Sequence, residues 1–321
     1  MKFWLLAGIA AAVAALALSV GAVPLSLTDV GSGLVRPSSP TGAIIWQLRM
    51  PRIALAFLVG GGLSVSGAAL QALVRNPLAE PYLLGISGGA GLGAVAAIAL
   101  GLSGLLAVPA AAFAGALGSS AVVYWVAAVQ GARLEPRVLV LVGVVVSAFC
   151  GAITTAVLTM SDAAMLRNAF LWLLGGFGTA SWISVTVFSV YAVVPLGFLF
   201  GANRTLDLLS LGDESAHALG IRTEGAKALV FVTTALLTAA SVAVSGMIGF
   251  VGLVAPHVIR GWLGPLHRRL LPAAFVAGGA FLVLADAVAR TIVRPAELPI
   301  GAVTALIGVP LFAVLLRRTL A

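Results

Sequence analysis

The chain contains a series of apolar runs, each about as long as a helix needs to cross a lipid bilayer, roughly 20 residues. The runs cover residues 3–23, 50–73, 85–106, 108–129, 138–160, 182–201, 228–246, 247–264, 270–291 and 300–316. Charged residues make up 9% of the chain, whereas soluble domains contain about a quarter. The sequence therefore predicts an all-α integral membrane protein with about ten transmembrane helices, in which residues 1–321 form a single transmembrane domain.

Basic residues predict the orientation, because they are retained on the cytoplasmic side of a membrane. With a cytoplasmic amino terminus and ten alternating helices, twelve basic residues fall inside and six arginines fall outside. We therefore expect a multi-pass protein with both termini in the cytoplasm. The first run is longer than a signal-peptide core of about 7 to 15 residues, so we interpret it as an uncleaved helix. The net charge of +8 is scattered, so we expect no nucleic-acid partner.

The arginines on the expected outer side are unevenly placed. Arg49 and Arg52 precede the second run, and Arg290 and Arg294 lie between the ninth and the tenth. Such pairs indicate a site for acidic groups of a partner, since complementary charges orient docking. Asp286 precedes Arg290 by four residues, and this spacing predicts an ion pair on one helix face.

Residues 203–227 form the one long hydrophilic stretch of the sequence. Its apolar residues recur at helical spacing around Gly212 and Gly220, which predicts two short amphipathic helices at the cytoplasmic membrane face. An ordinary cytoplasmic loop is the other interpretation, but the remaining connections are short. We therefore favour a surface that binds a cytoplasmic partner.

The number and spacing of the ionisable residues exclude several kinds of function. The only lysines, Lys2 and Lys227, do not follow a glycine, so the chain lacks the phosphate-binding loop of an ATPase. The three histidines lie in different connections without companions at ligand spacing, so we expect no metal site, no catalytic site and no enzyme. An ion-coupled secondary transporter is the alternative, although such carriers usually hold carboxylate or histidine relays inside the membrane.

Two amides flank the turn that follows the second run. Gln71 and Asn76 precede Pro77 and Pro81, which stop the helix. Their amide groups can bind the carbonyls freed there, so we interpret them as helix caps. A role in a transport path or a gate is the alternative.

Several motifs occur in order along the chain. They are Arg49–Arg52, Arg75–Pro81, Leu84–Ala90, Leu173–Phe177, Leu211–Gly220, Ser245–His257, Ala285–Arg290, Glu297–Gly301 and Gly308–Pro310. Together they resemble the permease subunits of type II ABC importers for iron-siderophores, haem or vitamin B12. The resemblance implies a vitamin B12 permease-like fold and a homodimer whose transport path runs along the subunit interface.

The same resemblance implies partners and a cargo. Two cytoplasmic ABC ATPase subunits would bind ATP and Mg, so no cofactor is expected in this chain. A periplasmic or lipid-anchored substrate-binding protein would deliver a metal chelate for transport across the bacterial cytoplasmic (inner) membrane. A ferric siderophore is the first candidate, because such cargoes are the commonest in the family, and haem and cobalamin are the others.

Three groups of residues match functional positions in the resembling permeases. The positions that dock the binding protein in those permeases correspond here to Arg49, Arg52 and Arg290. The positions that contact the ATPase and couple its movement to transport correspond to Leu211, Gly212, Asp213, Glu214, Ala216, Leu219 and Gly220. The inner gate of those permeases corresponds to Leu134, Glu135, Pro136 and Arg137. The vitamin B12 permease has small hydroxyl residues at this gate, so the details of its gate do not carry over to this chain. We expect Glu135 to pair with Arg133 or Arg137.

Overall fold

The structure is a computed structural model that describes residues 2–21, 23–102, 104, 106–129, 134–293 and 296–320, and no β-strand occurs among them. The α-helices are α1 (Lys2–Ser19), α2 (Leu27–Val35), α3 (Pro40–Ala43), α4 (Met50–Val74), α5 (Ile86–Ala99), α6 (Ala107–Val129), α7 (Pro136–Thr159), α8 (Ala163–Leu173), α9 (Trp182–Gly201), α10 (Asn203–Ser210), α11 (Asp213–Ala218), α12 (Thr223–Ser245), α13 (Val251–Leu263), α14 (His267–Ala289) and α15 (Ile300–Leu320). A π-helical turn, Ile44–Arg49, joins α3 to α4, and a 3-10 helix, Pro81–Leu84, precedes α5.

Each of the ten apolar runs contains one helix, and these are α1, α4, α5, α6, α7, α9, α12, α13, α14 and α15. Within the described ranges, seven helical stretches are long and apolar enough to cross a membrane. Helices α5 and α13 are shorter than predicted, with 14 and 13 residues. The prediction of an all-α membrane protein is confirmed, while α8 and the short helices α2 and α3 were not predicted.

Helix α4 forms the centre of the bundle. Helix α4 continues a helical stretch that begins at Pro40, and the most apolar part of this stretch is 83% buried. Helices α9, α12, α13 and α14 pack against α4. A Cβ atom on Gly67 would lie 1.8 Å from the carbonyl oxygen of Gly252, and one on Gly60 would lie 2.3 Å from that of Gly278. Apolar faces gain little by associating in lipid, so close backbone contact between small residues supplies the packing.

Helix α7 lies at the outside of the bundle. Only 22% of its most apolar part is buried, and Leu141, Val145 and Phe149 are exposed. Apolar side chains of this kind need an apolar environment. This face of α7 therefore contacts either lipid or another protein surface.

The two ends of the bundle carry different polar groups. Helix α4 begins near Arg52, and the antiparallel α14 ends there, at Ala289. At the opposite end, the first turns of α12 contain the buried Lys227. We name these the Arg52 end and the Lys227 end. Lys2 donates to the carbonyl of Trp262 at 3.1 Å, which places the start of α1 at the Lys227 end.

The chain is not helical between α12 and α13, and this break lies at the depth of the middle of α4. The hydroxyl of Ser64, in the middle of α4, donates to the carbonyl of Val251 at 3.4 Å. Gly246 and Phe250 have φ angles of 69° and 68°, which interrupt the helix. Backbone groups freed at this depth need partners from the protein, because lipid offers none.

Candidate functional site

An ion-pair network occupies the Arg52 end. The guanidinium of Arg52 donates to the Asp286 carboxylate from Nη2 at 2.8 Å and from Nε at 3.0 Å. Its outer N–H groups donate to Glu297 at 2.9 Å and 3.1 Å. The Asp286 side chain is 1% exposed, that of Arg52 is 13% exposed and that of Glu297 is 47% exposed. Arg52 therefore links a buried carboxylate, Asp286, to a half-exposed one, Glu297.

Arg290 and Arg49 complete this network. Arg290 pairs with Asp286 at 3.0 Å, as the i, i+4 spacing predicts, and donates to the carbonyl of Val20 at 3.3 Å. Arg49 donates to the carbonyls of Leu18 and Val23. The three predicted docking arginines thus lie together at one end of the bundle.

The burial of these arginines differs from that of an open, solvated rim. Arg49 is 5% exposed and Arg290 is 7% exposed, because α1 and the chain that follows it cover both side chains. Arg52 is the most accessible of the three. Arg294, the other outer arginine of the sequence, lies outside the described residues.

A cavity of about 620 Å³ opens beside Arg52 and Glu297. Its walls come from Trp172 at the end of α8, from the glycine-rich turn after α8, and from the ends of α12 and the chain before α15. The turn after α8 contacts the helix break, since the N–H of Gly176 donates to the carbonyl of Ser245 at 2.8 Å. The cavity therefore leads from the Arg52 end towards the break.

Two side chains from the chain before α5 hold the break. The hydroxyl of Tyr82 donates to the carbonyl of Ile248 at 3.0 Å and accepts from its N–H at 2.9 Å. The Glu80 carboxylate accepts from the N–H of Phe250. Burial raises the pKa of Glu80 above its ordinary value, and burial, helped by the neighbouring Glu80, raises the pKa of Tyr82. Sequence reasoning missed both residues, because no spacing relates them to the break.

The expected capping of α4 by the two amides is not observed among the described residues, because both bind groups outside the last turn of the helix, whose C-cap, Arg75, is in the left-handed conformation. Asn76 Oδ1 accepts from the N–H of Leu78 at 2.9 Å, and Gln71 Nε2 lies 3.4 Å from the carbonyls of Ala79 and Gly252. Gln71 Oε1 also accepts from Arg260 at 2.9 Å. The amides therefore bind backbone and side-chain groups of the same chain.

The predicted coupling segment folds as two short helices, α10 and α11, at the Lys227 end. Leu206, Leu209 and Ala216 are buried against the bundle, which confirms the amphipathic pattern. Gly212, whose φ is 104°, makes the bend between the helices. The acidic residues at the start of α11 lie beside its free N–H groups, where negative charge is favoured.

The exposed part of the coupling segment is apolar as well as acidic. Leu211 is 64% exposed and Leu219 is 56% exposed. Glu214 and Gly220 are also exposed, and Gly220 has a φ of 87°. Leu219 departs from the buried apolar face because it follows the last residue of α11. The segment therefore presents two isolated leucines to its surroundings.

Lys227 lies at the centre of a buried ion cluster. Its ammonium group, 2% exposed, donates to Asp213 at 2.6 Å, to Glu224 at 3.1 Å and to the carbonyl of Leu134 at 3.2 Å. The N–H of Leu134 donates to Glu224 at 2.7 Å. Sequence reasoning treated Lys227 only as a marker of the cytoplasmic side, since two of its partners, Leu134 and Asp213, are 93 and 14 residues away in the sequence.

The predicted gate residues lie at the start of α7, where Leu134 and Pro136 are buried and Glu135 and Arg137 are exposed. The expected pairing of Glu135 with Arg137 does not occur among the ion pairs of the described residues. Arg133, the other expected partner, lies outside them. Glu135 instead precedes the first turn of α7 with Pro136 at its first position.

A second cavity, of about 420 Å³, lies at the Lys227 end between α4, α10 and α14. Asp207 and His267 meet on its wall at 2.6 Å, and Arg75 and Arg260 also line it. Within the described ranges, no three His, Cys, Asp or Glu side chains come close enough together to bind a metal ion.

Comparison with known proteins identifies the family. The profile of the FecCD transport family matches residues 9–318. The hemin transport system permease HmuU of Yersinia pestis is 43% identical over 282 residues, which are 85% of this chain and 83% of that protein. The cobalamin import system permease BtuC of Halobacterium salinarum is 42% identical over 274 residues, which are 85% of this chain and 73% of that protein.

A solved structure gives the same result. It is described as an inward-facing conformation of an ABC transporter assigned to the metal-chelate type, and it matches with a TM-score of 0.89 and 33% identity over 99% of each chain. The fold is therefore that of the vitamin B12 permease-like membrane subunits, as the sequence predicts. The chain belongs to the FecCD transport family.

Proposed function

We propose that this chain is the membrane-spanning permease subunit of an ABC importer that moves a metal chelate into the bacterial cytoplasm. Two partner ATPase subunits supply the energy, so the chain itself catalyses no reaction. One observation supports the proposal most strongly. In a chain of this family, two separate candidate binding sites for partner proteins lie at opposite ends of one helix bundle. The Arg52 end holds cations for an acidic partner, and the Lys227 end presents short helices for a cytoplasmic one.

The coupling segment is the proposed contact with the ATPase. Its inner face packs on the bundle through Leu206 and Leu209, so the segment can pass a displacement to the helices beneath it. Its outer face carries Leu211 and Leu219, which would be covered in a complex. Apolar residues that a partner desolvates contribute much of the affinity of such interfaces.

An assembly experiment tests this contact. We expect Leu211→Glu with Leu219→Glu to prevent copurification of the ATPase, because charge replaces both exposed apolar groups. Leu266→Glu serves as the matched control, since Leu266 is an exposed leucine in the connection between α13 and α14, outside the coupling residues and the apolar runs. Full assembly of the double variant would contradict the assignment of the segment.

The Arg52 end is the proposed dock for the substrate-binding protein. Arg49 and Arg290 are buried, so they act by fixing the position and charge of Arg52 and its surroundings. Arg52 offers its outer N–H groups, which Glu297 now occupies. A carboxylate of the binding protein would compete with Glu297 for these donors.

We propose a homodimer in which the exposed apolar face of α7 meets a second copy. The turn from Leu134 to Arg137 would then lie at the inner mouth of the path between the subunits. In this arrangement both termini face the cytoplasm, and the protein resides in the cytoplasmic (inner) membrane.

The proposed cargo is a metal chelate, with a ferric siderophore tested first. Relatives named for haem and cobalamin support the chelate class, and they make these the alternative cargoes. Uptake into proteoliposomes that contain the full complex tests the proposal, with each chelate supplied on the binding protein. ATP-dependent uptake of one chelate is expected, whereas uptake driven by an ion gradient without ATP would contradict the mechanism.

A further inference from the structure

The Lys227 cluster joins three parts of the chain that are separate in sequence. Asp213 begins α11, Lys227 and Glu224 belong to the first turns of α12, and Leu134 lies just before α7. Lys227 is 93 residues from Leu134 and 14 residues from Asp213. The cluster therefore connects the coupling segment directly to the start of a helix on the outside of the bundle.

The contacts fix the backbone before α7 on both sides. The carbonyl of Leu134 accepts from Lys227, and its N–H donates to Glu224. Leu134 is itself buried, and Pro136 fixes the backbone at the first position of α7. A displacement of this backbone therefore moves the first turn of α7.

Burial gives the cluster its strength. Lys227 is 1% exposed, so little water can replace its three partners. Asp213 and Glu224 are each 40% exposed, which places the lysine on the inner side of both carboxylates. A buried cation keeps its partners, because losing one leaves charge uncompensated in a medium of low polarity. Asp213 and the carbonyl of Leu134 therefore share one buried ammonium group, so a displacement of Asp213 acts on Lys227 and, through it, on Leu134.

Among the hydrogen bonds of the described residues, only those of the Lys227 cluster link α11 to the start of α7. Helix α11 packs on α10 and α12, and α7 packs mainly on α5 and α6. The face of α7 that carries Val144 and Phe149 is exposed, so the helix is not held there by other parts of the chain. Within this chain, the contacts that limit movement of α7 are therefore chiefly those with α5 and α6.

We propose that Lys227 is a positioning residue for transport, which passes the displacement of α11 by the ATPase to the start of α7. This inference rests on the proposed function, in which the coupling segment receives that displacement. Lys227 binds neither cargo nor nucleotide. It keeps Asp213 and Leu134 at a fixed separation, so that α11 and α7 move together.

The test uses the complete complex of permease, ATPase and binding protein in lipid nanodiscs. A spin label on Glu135→Cys, in a Cys150→Ser background, reports the mobility of the chain at the start of α7. The test variant is Lys227→Met with Glu224→Gln, which removes one charge of each sign and leaves an acceptor for the N–H of Leu134. It therefore breaks the connection from Asp213 without stranding a buried charge.

We expect the variant complex to assemble, because Lys227 is buried and the exposed leucines of the coupling segment are unchanged. The change in label mobility on addition of ATP should disappear, and the cargo transported per ATP should fall about fivefold or more, the usual range for loss of coupling between sites. Lys227→Arg with native Glu224 should restore both readouts, because it keeps the cation. Arg269→Met, which changes an exposed basic residue at the start of α14 outside residues 203–227, is the matched control and should behave as the native protein.

The outcomes separate the two proposals. If the ATPase fails to copurify with the native chain, the proposed function is wrong. If the complex assembles and the label in the charge-balanced variant still responds to ATP as in the native protein, the connecting role of Lys227 is wrong while the proposed function stands. A parallel loss of stability and coupling that Lys227→Arg does not reverse would also overturn it, since the role would then be structural only.

Discussion

Arg52 on α4 and Asp286 on α14 form an ion pair although 234 residues separate them in the sequence. Nη2 of the guanidinium donates to Oδ1 of the carboxylate at 2.8 Å and Nε donates to Oδ2 at 3.1 Å, and this paired geometry is among the strongest that ionised groups form. Asp286 also binds Arg290. One buried acid therefore compensates two cations at the end of the bundle.

Removal of this acid should destabilise the protein strongly. Asp286→Ala leaves Arg52 with only Glu297 and leaves Arg290 without an acidic partner, so we expect a loss of about 3 to 5 kcal/mol in the free energy of unfolding. Glu297→Ala is the control, because a half-exposed carboxylate contributes at most about 1 kcal/mol. Thermal unfolding in detergent measures both, and equal effects would contradict the role given to burial.

Removal of the outer acid should instead strengthen docking. Glu297→Gln leaves the Arg52 donors without a competing charge, so we expect the binding protein to stimulate ATP hydrolysis at a lower concentration. Asp29→Asn is the matched control, since Asp29 is another exposed acid at the same end. A change of the same size in both variants would mean that general charge, and not Arg52, determines the effect.

Glycine at position 67 should be required for the packing of α4 on α13. Gly67→Ala places a methyl group against the Gly252 carbonyl, where only 1.8 Å is available, so the helices must separate. We expect a loss of about 1 to 3 kcal/mol or more in stability. Gly197→Ala in α9 meets no atom within 4 Å and should cause no loss. The difference between their melting temperatures in detergent tests this packing.

Glu80 should make stability depend on pH. Burial raises its pKa in the folded protein, so the fold binds the proton more tightly than the unfolded chain does. This contribution is complete below the ordinary pKa of a glutamate and is lost as the pH rises through the raised value. Glu80→Gln keeps an acceptor for Phe250 without a charge, so the variant should melt higher than the native protein at neutral pH.

A pH series of melting temperatures provides the measurement. The difference between the native protein and Glu80→Gln should be small in acid and should grow as the pH increases. A difference that stays constant across the series would show that ionisation of Glu80 does not contribute.

The sequence predicts those features that depend on local pattern. Apolar run length predicts ten helices, of which α5 and α13 are shorter than their runs, and helical spacing in a polar stretch predicts α10 and α11. The i, i+4 spacing predicts the pair of Asp286 and Arg290. In each case the residues that interact, or that form the element, are close in sequence.

The contacts between elements could not be predicted in this way. Arg52 pairs with Asp286, Lys227 binds Leu134, and Glu80 binds Phe250, at separations of 234, 93 and 170 residues. Helices that are apolar on all sides carry little periodic signal for which face meets which neighbour. The family resemblance grouped Arg49, Arg52 and Arg290, which lie at one end of the bundle, but the burial of Arg49 and Arg290 by α1 and the chain after it was not foreseen.

The break at Gly246–Phe250 has a mechanical consequence. A continuous helix transmits tilt along its whole length, because each turn is bonded to the next. Here α12 and α13 are two separate helices, and the non-helical chain between them binds Tyr82 and Glu80. Rotation of α13 about this break would shift the wall of the molecule at the Lys227 end while the Arg52 end keeps its shape.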